Sequence, residues 1–273
     1  MTSWTLSGFG DEIDADPVVQ LAVLRALGAR HIEVRSAWGT NVVALPAADL
    51  DRLARLIKAR GMAVSAVASP IGKSLITDPV PAFDAAVAAA HRLDTRYIRI
   101  FSFYRPAGVS VESVRDEVLR RMSALAAIAA REGLILLHEN EKEIYGDVPA
   151  RVLDIVESVG SDALRVAWDN ANFVQVGVKP YTDGYRLLRP HLEYLQVKDA
   201  LSETGTVVAA GLGDGELRET LTALRDDGYA GFASLEPHLA EQSALGGFSG
   251  PAEFGVAARA FAALTDKIGV QLV

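Results

Sequence analysis

Three acids stand where short apolar runs give way to polar turns. Glu139 follows Leu134-Ile-Leu-Leu-His138, Asp169 follows Leu164-Arg-Val-Ala-Trp168, and Glu236 follows Phe232-Ala-Ser-Leu235. Parallel strands of a barrel end at one rim, which would bring the three carboxylates together at the face where barrel enzymes keep their sites. Such a trio repels itself and raises its own pKa values unless a cation neutralises it. Carboxylate and amide oxygens are hard donors that suit Mg, Mn or Co. The segment Glu193-Tyr-Leu-Gln196-Val-Lys198-Asp199 adds Gln196 and Lys198 at a shared alternating parity. Any one such acid can instead cap a following helix or pair with a basic residue. Three of them on consecutive or near-consecutive strands point to a site, because perturbed acids cluster there.

The elements that must position these groups alternate along the chain. Short apolar runs at 6–9, 31–34, 63–67, 97–101, 134–138, 164–168, 194–197 and 232–235 read as buried parallel strands. Helical patterns lie between them. Asp16 and Pro17 give an N-cap and first helical residue, Val18, Leu21, Leu24 and Leu27 mark one face, and Gly28 stops the helix. Residues 49–60 repeat the logic with Leu50, Leu53, Leu56 and Ile57 inside and Gly61 as terminator, and residues 110–131 form a long helix ending at Gly133. Strand starts roughly 30 residues apart fit βαβ units. The expected fold class is α/β, a (β/α)8 TIM barrel spanning residues 1–273 as one domain. A doubly wound open sheet is the alternative that periodicity leaves open. The stretch Gly246-Gly-Phe-Ser-Gly250 reads as a loop after the last strand.

Bulk properties narrow the partners. The 273 residues are 50% hydrophobic and 23% charged, enough for a large core, and the formal charge of −8 opposes nucleic-acid binding. No cysteine is present, so disulfides, thiolate metal sites and cysteine nucleophiles are excluded. With neither a secretory signal pattern nor an apolar run of about 18 residues, the expectation is a cytoplasmic protein with no membrane partner.

The chain resembles the sugar phosphate isomerase/epimerase group, the xylose isomerase-like TIM barrels, over nearly its whole length. The resemblance rests on Gly10-Asp-Glu-Ile13, Ile32-Glu-Val-Arg35, Ser69-Pro-Ile-Gly-Lys73, Glu139-Asn140, Trp168-Asp-Asn-Ala-Asn-Phe173, Gln196-Val-Lys-Asp199 and Leu235-Glu-Pro-His238. It implies one divalent metal ion held by Glu139, Asp169, Gln196 and Glu236. Members commonly carry histidine at the Gln196 position; an amide oxygen there favours Mn, Mg or Co over zinc. Asn172 stands where many epimerases of the group place a histidine. The implied chemistry is isomerisation or epimerisation of a sugar or a similar keto or polyol compound through an enediolate, with Glu139 and Glu236 as the catalytic pair moving protons. Such proteins are often dimers or tetramers, which leaves a homo-oligomer open.

Other residues carry two readings each. Lys198 either contacts a substrate oxygen or pairs with Asp199 or another rim acid, and Lys73 is either a substrate contact or a solvated loop lysine. Trp38, on a loop with Arg35 and Asn41, either stacks on a sugar face or packs as a lid. His238, two residues after Glu236, is the histidine expected to reach the mouth, where it and Asn172 are candidate substrate contacts. His31 and His191 fall near strand starts, His91 lies on an exposed helix face, and His138 has the parity opposite to Glu139. Gly211-Leu-Gly-Asp-Gly-Glu216 looks superficially like a phosphate loop, yet reads better as a glycine turn with Asp214 capping the next helix. Rival functions are a dehydratase or lyase acting on a keto-inositol or cyclic keto acid, an abasic-site endonuclease, and a non-catalytic binding barrel.

Overall fold

Each apolar run bounded by turns forms a parallel strand, as continuous burial on both faces requires. The structure, a computed structural model, describes residues 2–80, 83–240 and 247–273. The strands are β1 (Thr2–Gly8), β2 (His31–Val34), β3 (Ala63–Ala68), β4 (Tyr97–Ile100), β5 (Ile135–Glu139), β6 (Leu164–Asp169), β7 (Leu192–Val197), β8 (Phe232–Leu235) and β9 (Val270–Leu272). They pair in the order β9-β1-β8-β7-β6-β5-β4-β3-β2. A parallel bridge from Phe9 to Glu33 joins the end of β1 to β2 and closes the ring. The result is the expected (β/α)8 barrel. The unexpected addition is β9, which pairs with β1 from Thr2 to Trp4 while β8 pairs with it from Thr5 to Gly8.

The principal helices are α1 (Pro17–Ala26), α2 (Ala47–Ala59), α3 (Phe83–Arg92), α4 (Arg115–Arg131), α5 (Pro149–Val159), α6 (Asn170–Val174), α7 (Leu217–Asp226) and α8 (Gly250–Ile268). The Asp16 carboxylate accepts from Val18 N at 2.9 Å, so the capping expectation holds. Leu21 and Leu24 are buried, but Val18 faces solvent and is not part of the apolar stripe. The long fourth helix starts at Arg115 rather than at residue 110, because Ser110 and Ser113 bond to each other's backbone in a turn. Between β6 and β7 no single helix forms. Helix α6 is short, and Pro180–Tyr185 winds as a π-turn into one α-helical turn at Arg186–Leu188. Gly246 lies outside the described residues; Gly247 and Ser249 precede α8 as a loop.

Two glycines are demanded by the rim loops. Gly72 has φ +87, and a Cβ there would lie 2.1 Å from the carbonyl oxygen of Phe101; this tight approach lets Ile71 and Gly72 accept from Phe101 and Phe103 N–H. Gly213 packs against Asp199, whose carboxylate accepts from the backbone N–H of Ala200, Gly211, Gly213 and Gly215. The glycine-rich loop is therefore wrapped around a carboxylate of the chain itself. Asp214 does not cap α7; its carboxylate accepts from Ser202 N and Oγ, and Glu216 precedes the helix in left-handed backbone without a side-chain cap. A Cβ on Gly213 would stand 2.4 Å from Asp199 Oδ1 and 2.5 Å from Ala200 O. Gly213→Ala is expected to cost about 1–3 kcal/mol as overpacking, read as a lower urea midpoint at unchanged slope.

Candidate active site

Alternation along the strands stacks the barrel interior in layers. Ala66, Tyr97, Leu137, Ala167 and Tyr194 form an apolar floor, edged by Ile135 and Phe232. Two residues further along, the same faces carry Arg99, Glu139, Asp169 and Gln196. Between these layers runs a buried polar line. Ser7 Oγ lies 2.7 Å from Ser65 Oγ, Ser65 Oγ 2.9 Å from Tyr194 Oη, and Tyr194 Oη donates to Glu33 Oε2 at 2.9 Å. Glu33 Oε1 in turn accepts from Gln196 Nε2 at 3.1 Å. The register between β2 and β3 explains why Ser65 joins this line. Ile32 pairs with Val64 and Glu33 with Ala66, so Ser65 is an extra residue that re-aims the strand.

Above this line the three expected acids meet. Oxygens of Glu139, Asp169 and Glu236 all lie within 4.8 Å of one another, and each residue is buried. A second group shares Glu236 and adds Glu12 and His238. Asp169 Oδ1 accepts from Asn172 N at 2.9 Å, so the strand-end acid also caps α6. Asn172 Nδ2 donates to Glu139 Oε1 at 3.1 Å and to the Asn140 carbonyl at 2.8 Å. The donor set fits a hard cation: three carboxylates, plus Gln196 Oε1, which is buried and has no hydrogen-bond partner among the described residues.

Buried cations already offset part of the negative charge. Lys198 Nζ lies 2.9 Å from Asp169 Oδ2 and 3.1 Å from Glu236 Oε2. Arg99 Nη1 lies 3.1 Å from Glu139 Oε2, with its guanidinium over the rings of Phe101 and Phe9. Arg35 pairs with Asp11 at 2.8 Å and Glu236 at 3.3 Å and donates to the Gly247 carbonyl at 2.9 Å. His238 Nε2 is 3.0 Å from Glu12 Oε1 and 3.4 Å from Glu236 Oε1. A divalent ion among these acids would have to displace the Lys198 ammonium from its two carboxylates.

The balance of burial and pairing separates the groups. Burial pushes Glu139 up to about 8 against the pull of Arg99, and Asp169 up to about 6 against Lys198. Burial also acts on Glu236, yet Lys198, His238 and Arg35 overcome it and hold this carboxyl well below the usual range. His238 is raised to about 9, because Glu12 and Glu236 outweigh its burial. Glu33 rises to about 7 through burial, opposed by Arg99.

The remaining sequence candidates divide. Lys198 pairs with rim acids but not with Asp199, which its glycine loop occupies. Lys73 pairs with Glu141 at 2.8 Å and sits over the Phe101 ring; this bridge lines both a cavity of about 100 Å³ beside Glu139 and an adjoining one of about 230 Å³ beside Asn172. Asn41 lines the smaller cavity and His238 lines both. Trp38 lines neither: it has φ +51, packs against the core and lies under the Arg52 guanidinium of α2. His138 is fully buried on the outward face near Gly146, and burial lowers it to about 3, so it is neutral. His31 stacks edge-on against Phe232 near the strand starts, and His91 pairs with Glu132 on the surface. Sequence reasoning passed over Arg99, Glu33 and Glu12. The signal for the first two was parity: Tyr97 and Arg99, like Glu33 and Arg35, alternate inward on their strands.

Comparison with known proteins agrees with this architecture. A curated relative, the 2-epi-5-epi-valiolone 7-phosphate 2-epimerase of Actinoplanes sp., is 35% identical over 99 residues, which are 36% of this chain and 35% of that protein. The match thus spans about a third of the relative's length. A D-tagatose 3-epimerase-like protein superposes with a TM-score of 0.78 at 16% identity, over 97% of this chain and 98% of that one. A xylose isomerase-like TIM barrel protein from Mycobacterium smegmatis, solved in complex with magnesium, gives 0.69 at 17% identity over 98% of each chain. At these identities the solved structures speak for the fold alone. The family description "xylose isomerase-like TIM barrel" matches residues 21–262, most of the described barrel, and the chain belongs to that family.

Proposed function

We propose that this protein is a divalent-cation-dependent epimerase or isomerase of a small polyhydroxylated carbonyl compound. The observation that carries the reading is the convergence of Glu139, Asp169 and Glu236 at one rim, with Gln196 in register with Asp169 on the next strand and its Oε1 unpartnered among the described residues. The named activity of the Actinoplanes relative, a cyclitol phosphate epimerase, supports the same substrate class. Glu139, Asp169, Gln196 and Glu236 would hold Mn, Mg or Co. When bound, the ion supplies Lewis-acid stabilisation of negative charge on substrate oxygens.

The chain's own groups do the rest. Glu139 and Glu236 share the cluster and are pulled in opposite directions, the first toward holding a proton and the second toward giving up its own. Such a divergence suits a pair that takes a proton from the carbon beside a carbonyl and returns one. The enediolate formed between the two transfers is negatively charged, and the Lys198 ammonium and Arg99 guanidinium are the buried donors nearest these carboxyls. Asn172 Nδ2 keeps Glu139 in place through its Oε1. Lys73 and Glu141 lie across the cavity mouth, where a polyol hydroxyl can exchange with either partner.

Three measurements test this reading. Ketohexoses, a keto-cyclitol and their phosphates, incubated in D2O with enzyme and Mn2+, are expected to exchange the proton beside the carbonyl. Glu139→Gln and Glu236→Gln are each expected to lower that exchange by about 100-fold or more with folding intact; wild-type exchange in both variants would remove the mechanism. Second, cation binding must displace the proton on Glu139, held to about 8, and that on Asp169, held to about 6. Acids with raised pKa values keep their protons as pH falls, so Mn2+ affinity measured calorimetrically is expected to rise between pH 6 and 8, by up to about tenfold per unit. Third, Lys198→Met leaves Asp169 buried without its cation, while Glu236 keeps Arg35 and His238. It is expected to destabilise the cation-free protein by about 3–5 kcal/mol in urea titration, with saturating Mn2+ restoring part of the loss.

A further inference from the structure

Gln196 has one end committed and one end free. Its Nε2 donates to Glu33 Oε1 at 3.1 Å, whereas Oε1 is buried and has no partner among the described residues. Across the strand pair, Gln196 is in register with Asp169 of the acid cluster. A carboxamide can turn over, exchanging its oxygen for its NH2 group with almost no change of shape. Turned over, it would face Glu33 with a lone pair and present N–H groups, which cannot ligate a cation, to the cluster. Something must therefore choose the orientation.

Glu33 is placed to make that choice. It is fully buried on β2, and both of its oxygens accept: Oε1 from Gln196 and Oε2 from Tyr194 Oη at 2.9 Å. Tyr194 Oη is itself 2.9 Å from Ser65 Oγ, and Ser65 reaches Ser7 at 2.7 Å. This line anchors the carboxyl from beneath, and the extra residue in β3 places Ser65 within reach. Buried polar groups held on several sides keep one orientation, because turning one over breaks its neighbour's bond as well.

We propose that Glu33 is a positioning residue that locks the Gln196 amide with its carbonyl oxygen toward the carboxylate cluster, making glutamine a fourth oxygen ligand. This rests on the cation-binding reading above. The lock also accounts for how an amide can serve at that position. An imidazole is oriented by the hydrogen bond on its second nitrogen, and a carboxamide needs the same service from whatever accepts its NH2.

The test is a double-mutant cycle on Mn2+ affinity, measured calorimetrically on the metal-free full-length protein. Glu33→Gln keeps the shape but presents either an oxygen or an NH2 to Gln196, so the orientation is no longer imposed. It is expected to weaken Mn2+ binding about 10–100-fold. In a Gln196→Met background, which has no amide to orient, the same change is expected to alter the dissociation constant less than about twofold. Loss of a nearby negative charge, or a general loosening of the barrel, would instead weaken binding equally in both backgrounds. Equal losses overturn the proposal, as does affinity that is unchanged or tighter in Glu33→Gln. If Glu33→Gln does not fold, Glu33→Asp takes its place in the cycle, since it retracts the carboxylate from Gln196 and carries the same expectations. Wild-type protein that binds no Mn2+ overturns the cation-binding reading and this one together; wild-type binding with no coupling between residues 33 and 196 overturns this one alone.

Discussion

Burying acidic side chains together in the mouth of an apolar barrel is the constraint from which the surrounding architecture follows, because each must be compensated. Taking an ion out of water costs several kcal/mol even after the protein relaxes, so each buried acid must find a partner within hydrogen-bond range. Lys198 serves Asp169 and Glu236, Arg99 serves Glu139, and Arg35 reaches both Asp11 and Glu236. These pairs do more than neutralise charge. Arg35 ties the segment after β1 to the end of β8 and to the Gly247 carbonyl. Glu12 accepts from His238 N and Ser249 Oγ, so the two loops flanking the β1–β8 seam are strapped together. The same buried charges hold the rim together.

The interior below the rim shows how one period of two residues can carry three different environments. Tyr194, Gln196 and Lys198 follow one another on the inward face of a single strand and its exit. The first seals the floor with its ring and turns its hydroxyl to Glu33, the second donates to Glu33 as well, and the third pairs with the acids of the cluster. An apolar plug beneath a polar line keeps water from reaching the carboxyls from below, which strengthens every interaction above it.

The loops obey the same accounting. A glycine-rich turn ahead of a helix can gather backbone N–H groups around an external phosphate. Here the N–H groups of Gly211, Gly213 and Gly215 converge on Asp199, so the chain supplies the anion itself and the turn becomes part of the scaffold. Gly72 works differently: its missing Cβ lets the loop after β3 lie against the backbone after β4, and that contact carries Lys73 over Phe101 to meet Glu141.

The amino-acid sequence determined the parts that depend on local pattern. The eight barrel strands and the three helices delimited by caps, apolar faces and glycine stops follow from local pattern, because burial and backbone geometry act over a few residues. The rim acids were legible for the same reason: Glu139, Asp169 and Glu236 sit at strand ends, and parallel strands share an end. Tertiary structure decided which partner each acid receives. Arg99, Glu33 and Glu12 lie 40, 163 and 224 residues from Glu139, Gln196 and Glu236, the groups they serve or sit beside. Among the acids open to Lys198 as ion-pair partners, the barrel put Asp169 at 2.9 Å while the glycine loop took Asp199. Charge pairing acts through space and only at contact distance, so it is settled by closure of the ring and not by anything a strand records about itself.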